Sequence, residues 1–140
     1  MAPGQELAPI PQAASKQKSL ELLFDYTKFH IGVYLTLTGS YLTAATAKFA
    51  GARILNVKPW LAWPAIFAFM IAGLAGGIIA SSITQTTAGD SREFLDEAIG
   101  PWNWKRLRLR ARAWTYLEHT AFWVGLLCAV ISFSGGESGV

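Results

Sequence analysis

The chain has 140 residues, 52% of them hydrophobic and only 15% charged, with a formal net charge of +3. That length holds one domain, and the apolar content with a mean hydropathy of +0.32 places it in the membrane class. A single thiol, Cys128, excludes an internal disulfide framework and reads as a small buried hydrophobe.

Residues 1–18 are rich in Pro, Ala and Gln. They lack the apolar core of a cleavable signal peptide. They are expected to form a disordered tail, because they carry too little apolar surface to offset the entropy of ordering. Residues 19–133 are expected to form a three-helix membrane domain, followed by a short outer tail, 134–140.

The first expected span is 29–50. No charged residue lies between His30 and Lys48, a run at the short end for a bilayer, which Lys28 and Lys48 extend by snorkelling. The second, 60–83, carries no charge at all. Trp60 and Trp63 mark its interface, and Pro64 falls near its first turn, where a missing N–H costs little. The short loop before it makes these two helices antiparallel neighbours. The third span is 113–133.

Between the second and third spans lies a polar loop, 84–112. Its GDSREFLDEAIGP stretch predicts a short amphipathic helix. Asp90 or Ser91 is the N-cap, Glu93 sits near the positive helix end, and Gly100-Pro101 is the stop. Phe94, Leu95, Ala98 and Ile99 form its apolar stripe, set on the membrane surface or against the bundle. Beyond it, Lys105, Arg106, Arg108, Arg110 and Arg112 face lipid headgroups, with Trp102, Trp104 and Trp114 as an aromatic belt. The alternation of Arg with apolar residues fits a strand, but a helix continuous with the third span is expected here. Lipid, not nucleic acid, is the expected partner of this run.

Nine of the 12 basic residues fall in the N-terminal tail and the 84–112 loop; the others are Lys48, Arg53 and Lys58. The positive-inside rule places the N-terminus and that loop in the cytoplasm and the C-terminus outside, as in a multi-pass bacterial inner-membrane protein.

In lipid, small residues mark helix contacts. Gly73, Gly77 and Ser81 recur every four residues beside a strip of Ala68, Ala72, Gly76 and Ala80, predicting one broad packing face. In the first span Gly32, Thr36, Gly39, Ser40, Thr43 and Ala47 share a packing side, which Asp25 joins. His30 falls opposite, with Tyr34, Tyr41 and Lys48. In the third, Glu118 shares a side with Ala121, Phe122, Gly125, Ala129 and Ser132, while His119 lies about 100° round the helix.

Glu118 is therefore expected to point into the bundle, because a charge at mid-membrane costs at least about 2.5–3.5 kcal/mol. If the first and third spans touch, it meets His30, Tyr26, Tyr34 or Thr36. The candidate polar site comprises Glu118, His119, His30, Asp25 and Tyr34. Two histidines on two helices suit a tetrapyrrole, although neither shares the small face of its helix. No metal site is expected, since Asp25 and His30 are five apart and Glu118 and His119 are adjacent. A carboxyl beside tyrosines also suits a proton or quinone site; a structural pair fixing helix register ranks ahead of it.

The expected fold is thus an all-α integral membrane bundle of three transmembrane helices with an amphipathic interfacial segment. The leading functional expectation is a non-enzymatic accessory, scaffold or assembly subunit of a larger membrane complex, joined to other subunits or to itself. Alternatives are a redox anchor holding a tetrapyrrole or quinone, and an oligomerising pore or membrane-perturbing effector.

Overall fold

The computed structural model describes residues 10–49, 52–53, 57–101 and 108–133. Its elements are α1 (Ile10–Thr46), β1 (Lys48–Phe49), β2 (Ala52–Arg53), α2 (Pro59–Ile83), α3 (Ser91–Asp96), β3 (Ala98–Ile99), β4 (Leu109–Arg110) and α4 (Ala111–Phe133). The two strand pairs are antiparallel, with Lys48 opposite Arg53 and Ala98 opposite Arg110. Two of the helices, α2 and α4, are long and apolar enough to cross a membrane.

α2 is the centre of the bundle, with its backbone close to both α4 and α1. It starts with Pro59 at its first position, where the absent N–H has no helical partner to lose. No side chain caps this end; the Lys58 N–H instead donates to the Ser132 carbonyl at 3.2 Å, tying the helix start to the end of α4. Ala65, Phe69, Ala72, Ala75 and Ile79 are buried along its inner face.

α1 begins at Ile10, so residues 10–18, expected to be disordered, belong to a helix that reaches well past the apolar segment. Ala, Gln, Lys, Leu and Glu dominate residues 13–23, and all have high helix propensity. This stretch is anchored from the side. Leu20 and Leu23 pack against a cluster containing Phe94, Ile99 and Trp114, and the Ser91 N–H donates to Ser19 Oγ at 3.2 Å. α1 ends at Thr46, short of the expected 50.

Of the two expected caps, Asp90 and not Ser91 caps α3: one of its oxygens accepts from the Arg92 and Glu93 N–H groups, both at 2.9 Å. Glu93 reaches back to the Gly89 N–H at 2.7 Å. These bonds satisfy donors that a helix start otherwise leaves open. The helix stops earlier than expected, at Asp96, because Glu97 is extended with ψ 145° and the chain enters β3. Phe94 is fully buried, so α3 packs on the end of the bundle.

Leu109–Arg110 forms a strand, correcting the expectation of a helix running through the basic segment. It pairs antiparallel with Ala98–Ile99, and the Ala111 N–H donates to the Glu97 carbonyl at 2.8 Å where α4 begins. Trp114 is likewise no belt residue. It is 8% exposed, and its indole N–H donates to the Ile99 carbonyl at 3.1 Å.

Candidate functional site

Glu118 projects from α4 toward α1 and is 2% exposed. Its neighbours on the same face, Ala121, Gly125 and Ala129, are small, so α4 lies close to α2. A Cβ on Gly125 would stand 2.9 Å from the Phe69 ring. Gly76 of α2 clears the space for the carboxyl group: a Cβ there would lie 3.5 Å from Glu118 Oε1 and 3.0 Å from Ile31.

The Tyr34 hydroxyl, 1% exposed, donates to Glu118 Oε1 at 2.9 Å. Its ring rests on Phe122, with centroids 5.2 Å apart. Beside this pair lie both histidines, whose ring centroids are 6.1 Å apart. His30 Nδ1–H donates to the Tyr26 carbonyl and His119 Nδ1–H to the Thr115 carbonyl, each at 2.8 Å. Carbonyl acceptors require the proton on Nδ1, which leaves both Nε2 atoms as acceptors when the rings are neutral. Tyr26 Oη lies 3.5 Å from His119 Nε2, and the Tyr26 ring packs on His30 at 3.9 Å.

Of the predicted site, the structure brings together Glu118, His119, His30 and Tyr34, and adds Tyr26. Asp25 is exposed and lies outside the cluster. Among the described residues no group of three His, Cys, Asp or Glu could hold a metal ion.

The side of α1 that faces the bundle is the reverse of the expected one. Tyr34 and Tyr41 are buried there, while Gly32 and Gly39 have open space where a Cβ would go. Tyrosine length explains the choice. α1 and α4 flank α2, and only long side chains cross the gap between them. A second rung, which residue spacing did not lead us to expect, joins Tyr41 Oη to Ser132 Oγ at 2.8 Å, with Ser132 fully buried. Two tyrosines seven residues apart on one face were its signal in the sequence.

In α2, too, the broad small-residue face divides in two. Ala68, Ala72 and Gly76 pack, but a Cβ added at Gly73 or Gly77 would meet nothing within 4 Å among the described residues. Arg108 and Arg110 are exposed. Arg112 pairs with Asp96 at 3.2 Å while staying half exposed. Lys105, Arg106, Trp102 and Trp104 lie outside the described residues. Comparison of the chain with protein-family models, curated proteins and solved structures returned no match.

Proposed function

We propose that the chain is an integral membrane protein of three spans, α1, α2 and α4, acting as a non-enzymatic accessory or assembly subunit of a larger membrane complex. The observation that carries this reading is the outer surface of the helices. Trp63, Phe67, Met70 and Leu74 on α2, Trp123, Leu127 and Val130 on α4, and Phe29, Leu35 and Leu42 on α1 are all at least 48% exposed. Ten large apolar side chains exposed on the outside of three helices suit lipid better than water. The carboxyl group of Glu118 and the hydroxyls of Thr27 and Ser132 are buried inside the bundle, as lipid favours.

α1 is the least apolar of the three, yet its threonines suit a bilayer. Thr38, Thr43 and Thr46 each donate to the carbonyl four residues back, at 2.7–2.8 Å. That bond removes the hydroxyl's need for water. The outward strip with Gly32 and Gly39 supports association with a partner helix, because small residues let backbones approach closely.

The test is affinity capture in mild detergent, with Gly39→Leu beside the wild type. A membrane subunit recovered at constant stoichiometry, and lost in the variant, is expected. Recovery of this chain alone as a monomer overturns the reading.

The histidine pair favours a second reading, a redox anchor. Both Nδ1–H groups are held by carbonyls, the usual orientation of an imidazole whose other nitrogen is a ligand. A visible spectrum of protein purified from its native membrane decides it: no Soret band rules out a retained haem.

A further inference from the structure

The open glycine side of α2 is one wall of a cavity of about 790 Å³. Gly73, Gly77 and Ser81 lie along it over about 12 Å of helix. Toward the end of α2 the wall turns polar, with Gln85, Thr86, Glu97 and Arg108. Ala98 to Pro101 line that end as well.

The volume matches small-ligand sites. A helix from another subunit would present one apolar face along α2 and would leave the polar lining at Gln85, Thr86, Glu97 and Arg108 without a matching partner. The occupant must have an apolar part at span depth and a polar part at the basic face. A phospholipid has this division.

The charges select its headgroup. Arg108 forms no ion pair among the described residues. Its guanidinium suits a phosphate, which it holds with two parallel hydrogen bonds. Among the described lining residues the other charged group is Glu97, steadied by the Thr86 hydroxyl at 2.6 Å. A carboxylate keeps acceptor capacity after one such bond. One cationic and one anionic side chain together match a zwitterion whose cation carries N–H donors. An anionic headgroup would meet Glu97 unfavourably, and a quaternary ammonium would offer it no hydrogen bond.

We infer that this cavity binds one phospholipid with a phosphoethanolamine headgroup. Arg108 holds the phosphate, Glu97 accepts from the ammonium, and an acyl chain lies along Gly73, Gly77 and Ser81. The inference rests on the reading of α2 as a membrane span.

The full chain is reconstituted into nanodiscs holding equal parts phosphoethanolamine, phosphocholine and phosphoglycerol lipids with identical acyl chains. Native mass spectrometry then identifies the lipid retained. The wild type is expected to retain one phosphoethanolamine lipid. Arg108→Gln reduces retention about tenfold, the scale of one lost charge-assisted hydrogen bond. Glu97→Gln abolishes the preference over phosphoglycerol but keeps the adduct. Gly77→Leu fills the groove and removes all three lipids equally. Among the described residues nothing lies within 4 Å of a Cβ there, and an unchanged circular dichroism spectrum shows that the variant folds. Retention without headgroup preference, or a Gly77→Leu variant that binds as the wild type does, overturns the assignment. A chain that does not enter the discs overturns the membrane reading and this site with it.

Discussion

Tyr34 and Glu118 are joined by a 2.9 Å hydrogen bond across a gap that the backbones of α1 and α4 do not close. The carboxyl group is buried between three helices. Its partner comes from the one helix whose tyrosine side faces inward.

Tyr34→Phe therefore leaves a buried carboxyl oxygen without its donor. We expect destabilisation of about 1 kcal/mol, the usual scale for such bonds in membrane bundles. Glu118→Gln keeps an acceptor and costs less. Tyr34→Phe with Glu118→Leu removes both partners and recovers most of the loss. Thermal unfolding in one detergent measures all three; a Tyr34→Phe protein as stable as the wild type refutes the rung.

Gly125 and Gly32 make opposite predictions. A methyl group on Gly125 meets the Phe69 ring at 2.9 Å and Ala68 at 3.2 Å. Gly125→Ala should cost about 1–3 kcal/mol through overpacking. At Gly32 nothing lies within 4 Å. Gly32→Ala should be neutral or stabilise by up to about 1 kcal/mol, from helix propensity alone. The same unfolding assay compares them, and equal effects would refute the packing described.

The α3 cap should depend on pH. The Glu93 backbone N–H, together with that of Arg92 and the Lys16 ammonium, favours the ionised Asp90 and lowers its pKa below the ordinary Asp value. A lowered folded pKa means the contribution is complete above the ordinary carboxylate range. It is lost as pH falls through the lowered value. Amide protection factors at Arg92 and Glu93 should fall over that range in the wild type. In Asp90→Asn, which keeps a capping acceptor, they should stay flat. Protection that is unchanged in acid argues against the charged cap.

Sidedness separates three spans from two. With Cys128 replaced by Ala, cysteines at Lys18 and at Lys58 lie beyond opposite ends of the apolar part of α1. An impermeant thiol reagent on intact cells should label the Lys58→Cys protein and spare the Lys18→Cys protein, in keeping with the positive-inside rule. Labelling of both from outside would mean that α1 does not cross.

Sequence alone determined the two strongly apolar helices, a capped helix start at Asp90 or Ser91, and the inward direction of Glu118. Each follows from local chemistry: an uncharged run, an oxygen placed ahead of open N–H groups, a carboxyl among small residues on one helix face. Only the tertiary structure decided which side of α1 meets the bundle, which half of the α2 small face stays open, and that Leu109–Arg110 pairs as a strand. Helical period shows which residues share a face, but among apolar helices it does not show which face finds a partner. That choice depended on a distance: the α1 and α4 backbones stay further apart than either does from α2, and tyrosines span the gap where glycines cannot. The strand depended on a partner ten residues away in the chain, Ile99, whose backbone supplies the hydrogen bonds that Leu109 needs.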